Sequence, residues 1–222
     1  MSTLYIVSTP IGNLKDISLR ALEILKEVDL ICCEDSRTTL KLLSHYGICK
    51  PLFVYHQHSQ SWRTDKIIDF LAQGKKIALV SEAGTPGICD PGNRLIEEVL
   101  KVFPFLKIVP IPGPCALVAA LSICGFPADR FLFMGFPPSK KKRKEFFEKM
   151  ASSEYTVVFY ESPFRILKTL QDLNNFLQDP TIVVAREMTK KFETIYRGKT
   201  SEILGLLKKE KPRGEFVLVV KR

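Results

Sequence analysis

From Leu4 to Pro112 the chain alternates short apolar or β-branched runs with amphipathic stretches: LYIVST, SLRALEILKEV, DLICCE, SRTTLKLLSHYG, LFVYH, RTDKIIDFLAQG, KIALVSE, NRLIEEVLKVF and KIVPIP. Consecutive strands that are separated by helices must be joined by crossovers, so the predicted fold is a mainly parallel α/β sheet. In such sheets ligands bind beyond the carboxyl ends of the strands. Four predicted strands end in unusual loops: STPIGNLKD, EDSRTT, SEAGTPGICDPG and PIPGP. One or two of these are ordinary turns, but four at one sheet edge suggest the rim of a binding site.

PIPGP continues neither a strand nor a helix, and it marks the expected boundary between residues 1–112 and 113–222. Beyond it FLFMGF, TVVFYES, TIVVARE, ETIYRG and GEFVLVV are strand candidates, and helices separate only some of them. A mixed sheet is expected in this second α/β domain.

The two parts differ in charge. Residues 1–112 carry 13 basic and 12 acidic side chains, residues 113–222 carry 20 and 12, so the formal charge of +9 divides as +1 and +8. A one-sided positive field suits a polyanion such as nucleic acid or a phosphate-bearing substrate, or is a solvated lysine-rich surface. The run KKKRK, Lys140 to Lys144, is its most compact feature. The start MSTLYIVSTP lacks a signal-peptide pattern and no apolar run reaches membrane-spanning length, which makes the expected location cytoplasmic and the expected partners free of membrane. Cys32, Cys33, Cys49, Cys89, Cys115 and Cys124 form no CxxC pair and have no histidine at ligand spacing, so reduced, mostly buried thiols and no metal are expected.

The Gly/Pro loop Ser81 to Gly92 has neither GxxxxGK[ST] nor GxGxxG spacing. It is either a tight turn ahead of a helix starting near Pro91, or a loop whose backbone lies against a ligand of little net charge. In EDSRTT, Asp35 or Ser36 can cap the next helix; Glu34 and Arg37 remain over, where an acid or base and a phosphate clamp would be useful. FYESPFR and AREMTKKFE repeat the theme of a strand running into charges, with surface ion pairs as the plainer explanation. His45, His56 and His58 form no triad with a serine, and G-x-S-x-G is absent.

Taken together and in order, STPIGNLKD, EDSRTT, SEAGTPGICDPG, PIPGPCALVAALSICGFPADRFLFMGF, FYESPFRIL, AREMTKKFE and GEFVLVV resemble the bacterial 16S ribosomal RNA cytidine 2'-O-methyltransferases, within the tetrapyrrole methylase superfamily. The resemblance covers essentially the whole chain. It implies two α/β domains with a cofactor cleft between them, S-adenosylmethionine as methyl donor, and a homodimer acting on a decoding-centre cytidine of 16S ribosomal RNA in the small subunit. Cofactor contacts of the superfamily correspond to Pro10, Glu82, Gly84, Thr85, Ile88, Cys115, Ala116, Tyr160, Arg186 and Glu187. The family commonly has aspartate where Glu82 stands and histidine where Phe164 stands, so Phe164 is expected to replace that histidine by stacking. Longer members continue past GEFVLVV into a helical extension, and the basic cluster is expected to do more of the RNA binding here.

Glu34 or Asp35 is the candidate base for a ribose hydroxyl, with Arg37 and Lys190 as electrostatic or phosphate-positioning groups. Lys140, Lys141, Lys142, Arg143, Lys144 and Arg165 are the expected RNA contacts. A tetrapyrrole methyltransferase of the same fold and a non-catalytic RNA-binding protein are the alternatives.

Overall fold

The computed structural model describes residues 2–56, 61–90 and 92–221. His58 and the expected helix start at Pro91 lie outside them. The chain divides into two units, Met1–Cys115 and Ala116–Arg222.

In the first unit β1 (Thr3–Val7), β2 (Leu30–Cys33), β3 (Leu52–Val54), β4 (Lys76–Val80) and β5 (Lys107–Ile111) alternate with α1 (Leu19–Glu27), α2 (Ser36–His45), α3 (Ser61–Ala72) and α4 (Asn93–Val102). The strands form one sheet in the order β3-β2-β4-β1-β5, and every pair is parallel. Because successive side chains in a strand point to opposite faces, each strand supplies two cores. Val7, Ile31, Cys33, Ala78, Val80 and Ile111 pack with Ala21 and Leu25 of α1 and Leu42 and Leu43 of α2. Leu4, Leu30, Cys32, Ile77 and Leu79 pack with Ile67 and Leu71 of α3 and Leu95 and Val99 of α4. Adjacent Cys32 and Cys33 therefore belong to different cores, and burial pushes both thiols above their ordinary pKa. Cys124 is buried as well, whereas Cys49 and Cys89 are exposed and Cys115 is half-buried, so burial accounts for only part of the cysteine set.

The second unit contains α5 (Ala116–Cys124), β6 (Phe131–Phe133), α6 (Arg143–Ala151), β7 (Thr156–Glu161), α7 (Ile166–Leu177), β8 (Thr181–Arg186), β9 (Thr194–Lys199), α8 (Thr200–Lys209) and β10 (Phe216–Val220). Its sheet is mixed, as expected: the order is β6-β7-β10-β8-β9, with β6 parallel to β7 and the other pairs antiparallel. Val157, Phe159, Ile182, Val184, Phe216 and Leu218 pack with Phe147 of α6, Leu170 of α7 and Leu207 of α8. The register fixes a functional consequence. Phe216 stands opposite both Glu161 and Arg186, and Arg186 stands opposite Thr194, so the loops after β7 and β8 leave the sheet at the same edge.

Among the described residues no helix is long and apolar enough to cross a membrane.

Candidate functional site

In a parallel sheet all carboxyl ends lie at one edge, so the four unusual loops of the first unit do gather there. The backbones of three of them, STPIGNLKD, SEAGTPGICDPG and PIPGP, are joined. Thr9 and Gly84 exchange N–H···O bonds of 2.9 and 3.1 Å, and the Ser8 N–H donates to Ile111 O at 3.2 Å. Hydroxyls complete the join: Thr85 Oγ1 donates to Pro114 O at 3.2 Å, which leaves Ser8 Oγ to donate to Thr85 Oγ1 at 2.9 Å. Thr9 Oγ1 donates to Ser81 O at 3.1 Å and Ser81 Oγ to Gly84 O at 3.0 Å.

This explains two of the glycines. Gly84 has φ +85°, and a Cβ on it would lie 3.3 Å from Ile11 Cγ2. A Cβ on Gly113 would lie 2.9 Å from the Ser8 Cβ. What approaches these backbones is a neighbouring loop, and the result is a fixed edge. Pro10 and Gly84 are buried in it, Thr85 and Cys115 are half-buried, and Glu82 and Ile88 are exposed. Ser8, Thr9 and Ser81 do as much to build this edge as any residue singled out from the sequence. Their only sequence signal is a hydroxyl directly after an apolar strand, which also describes many turns.

Glu34 and Asp35, equivalent in the sequence, separate in the structure. Asp35 caps α2, accepting from the Arg37 N–H at 2.8 Å and pairing with the Arg37 guanidinium at 2.7 Å. Those bonds hold its carboxyl down to about 2, so it is a poor proton acceptor. Glu34 is half-buried, and its Oε1 is buried without a hydrogen-bond partner. Burial, reinforced by the charges of Asp90 and Glu82, pushes its carboxyl up to about 7. A carboxylate with that value and a vacant oxygen is suited to take a proton near neutral pH. Arg37 remains largely exposed while paired with Asp35.

In the second unit several expected contact residues are bonded to one another and to neighbouring loops. Arg186 donates to Arg213 O and to Glu210 at 2.8 and 2.9 Å. Glu187 accepts from the Glu215 N–H and from Lys190, both at 2.9 Å, and Lys190 also reaches Glu215 at 2.8 Å. Burial works against both charges, but their mutual attraction outweighs it and keeps Glu187 ionised and Lys190 protonated. Arg186, Glu187 and Lys190, expected as cofactor contacts and as an electrostatic group, form a clasp between the end of β8 and the entry to β10. Ala116 starts α5, and Tyr160 packs its ring against Phe133 and Phe136.

The basic run also divides. Lys140, Lys141, Lys142 and Lys144 are exposed, whereas Arg143 is 7% exposed. Its guanidinium donates to Asp172 at 2.8 Å, Thr169 Oγ1 at 2.8 Å and Pro138 O at 3.1 Å. Arg143, expected as an RNA contact with its neighbours, thus has its guanidinium turned into the unit and bonded there through Nε, Nη1 and Nη2. Arg165 is partly exposed, and pairs with Glu161 at 2.9 Å and with Pro137 O at 2.8 Å. Among the described residues no group of three or more His, Cys, Asp or Glu could hold a metal ion.

Comparison with known proteins adds to this geometry. The profile of the tetrapyrrole (corrin/porphyrin) methylases matches residues 3–204. The chain is 43% identical to the ribosomal RNA small subunit methyltransferase I of Thermotoga maritima, over 99% of this chain and 98% of that protein. It is 48% identical to the protein of the same name from Haemophilus influenzae, over 98% of this chain and 77% of the other. Among solved structures, diphthine synthase superposes with a TM-score of 0.76 at 14% identity, covering all of this chain and 90% of that one. Cobalt precorrin-4 methyltransferase does so with 0.72 at 17%, covering 99% and 94%. At those identities the two structures establish the fold and nothing more.

Proposed function

The chain belongs to the tetrapyrrole methylase family, and within it to the ribosomal RNA small subunit methyltransferases I; from that premise we propose that it methylates a ribose 2'-hydroxyl of a cytidine in the decoding region of 16S ribosomal RNA. The observation that carries this reading is the end-to-end similarity to the Thermotoga maritima protein. The +8 charge of the second part and the four exposed lysines of its KKKRK run agree with an RNA substrate.

S-adenosylmethionine fits the edge of the first unit. That edge offers backbone groups, hydroxyls and the carboxylates Glu34, Glu82 and Asp90, with no cluster of cations such as phosphates would need. Pro10, Gly84, Thr85, Ile88 and Cys115 would line the cofactor, and Glu82 would favour its positive charge. When bound, the cofactor supplies an electrophilic methyl group on a sulfonium. The protein has to orient the ribose oxygen and remove its proton. Glu34 takes that proton through its vacant Oε1, and Arg37 is placed at an exposed helix start where it can hold a phosphate.

The deciding experiment incubates the protein with methyl-labelled S-adenosylmethionine and small ribosomal subunits that lack the modification. Label is expected in 16S ribosomal RNA at one cytidine, and the linkage after it should resist alkaline cleavage. Methylation of a porphyrin precursor with none of the subunit would overturn the reading, as would failure to bind the cofactor in calorimetry.

Neutralising Lys140, Lys141 and Lys142 together is expected to weaken binding to the RNA substrate and to reduce the slope of log affinity against log salt by about 2, since each phosphate contact contributes roughly 0.7–0.9. An unchanged slope would remove these lysines from the interface.

A further inference from the structure

In the second unit Phe147, Phe159 and Phe216 are at most 1% exposed. Four phenylalanines of the unit are exposed; one, Phe131 at 41%, begins β6, at the opposite end of that strand from Phe136. Phe164 is 95% exposed, Phe192 70% and Phe136 50%. Single exposed apolar residues need no explanation. These three, however, share a location.

Phe136 follows β6, Phe164 follows β7, and Phe192 lies just before β9. The pairing of Phe133 with Val158, of Phe216 with Glu161 and Arg186, and of Arg186 with Thr194 puts all three loops at one edge of the sheet. The five-strand order spreads them over roughly 20 Å.

None of the loops is slack. Glu161 accepts from the Ser162 N–H at 2.7 Å, and Arg165 N–H donates to Ser162 O at 3.1 Å, which presents Phe164 on a closed turn. Arg165 then reaches Pro137 O at 2.8 Å, tying the Phe136 loop to the Phe164 loop. One face of Phe136 rests on Tyr160, with ring centroids 5.5 Å apart. Phe192 is held by the turn in which the Glu193 carboxylate accepts from the Thr189 N–H at 2.6 Å, and Lys191 Nζ lies 5.6 Å from its ring centroid.

We propose that Phe136, Phe164 and Phe192 form a stacking platform for unpaired bases of the RNA substrate. The proposal rests on the rRNA-methylation reading and specifies how its substrate is held. Aromatic faces with cations beside them are how proteins hold single strands without reading their sequence, because every base has a π-face. The cations are present: Lys191 beside Phe192, and Lys140, Lys141 and Lys142 only a few residues beyond Phe136. A protein partner would call for the opposite composition, since interface cores are depleted in lysine.

The test measures binding of a fluorescein-labelled single-stranded RNA oligonucleotide, and of the same strand annealed to its complement, to the full chain. Phe164→Ala combined with Phe192→Ala is expected to weaken single-strand binding by about ten- to a hundredfold while leaving duplex binding and the salt slope unchanged. Tyrosine at both positions should restore affinity to within about threefold, and leucine should not. Wild-type affinity in the double alanine variant, rescue by leucine, or a fall in oligomeric state on sedimentation would each overturn the platform; the last would identify a contact between protein copies. Methyl transfer to small subunits in the same preparations separates the two ideas. Wild-type protein that stacks RNA but labels no 16S ribosomal RNA refutes the methylation reading alone. Wild-type protein that labels it, with a double alanine variant of unchanged KM, refutes the platform alone.

Discussion

Glu34→Gln is expected to lower single-turnover methyl transfer by about 10²- to 10⁴-fold, the usual contribution of a positioned base. Cofactor affinity should be unaffected. Glutamine keeps the shape of the side chain and cannot accept the proton. The wild-type rate should rise with pH and level off above an apparent pKa near 7, because the carboxylate is the active form and burial pushes its pKa up to about 7. The variant should show no such rise. Stability supplies an independent readout. A carboxyl whose folded pKa lies above its ordinary 4.5 contributes stability that is fully present in acid and is lost as pH rises through about 7. Glu34→Gln should therefore match wild type in thermal unfolding near pH 4 and exceed it at pH 8. Asp35→Asn, by contrast, should alter the rate little, because that carboxyl caps α2 and is held ionised by Arg37. A Glu34→Gln rate within about threefold of wild type would remove Glu34 as the base.

The separation of Glu34 from Asp35 shows where sequence reasoning stopped. The strand LICC and the helix SRTTLKLLSH were legible from their periods, so a loop with chemistry between them was too. That Asp35 or Ser36 capped the helix was legible as well; which of Glu34 and Asp35 was the better base was not, since both carboxylates follow the same strand. The vacancy at Glu34 Oε1 depends on loops distant in sequence, whose charges at Glu82 and Asp90 no local pattern relates to residue 34. The mixed sheet was legible because ETIYRG follows TIVVARE with no helix between them. The bonds of Arg186 and Glu187 were not legible for a related reason: their partners, Arg213, Glu210 and Glu215, come from the approach to β10.

The run KKKRK did carry a usable signal. Arg143, Phe147 and Met150 are spaced i, i+4, i+7, the inner stripe of a helix, and all three are buried. Arg143→Met is accordingly expected to destabilise the second unit by about 3 kcal/mol, the lower end for breaking a buried ion pair, because Asp172 retains some contact with water. The loss extends beyond that pair. Arg143 donates to Thr169 Oγ1, the Thr169 hydroxyl donates to Glu161 at 2.6 Å, and Glu161, fully buried, pairs with Arg165. Removing the first donor takes from Thr169 Oγ1 and Pro138 O the guanidinium they accept from, and leaves the Thr169 hydroxyl bonded to Glu161 alone. Lysine should not rescue it, having no planar fork to reach three acceptors at once. Lys144→Ala, one position on and exposed, should stay within about 0.5 kcal/mol of wild type. With two units a single melting temperature is ambiguous, so hydrogen exchange in residues 143–151 and 166–177 is the suitable measurement. Equal protection in the Arg143 and Lys144 variants would refute the buried clamp. Should the clamp hold, weakened RNA binding by an Arg143 variant would reflect disruption of the loops bearing Phe136 and Phe164, because the guanidinium itself is already committed within the protein.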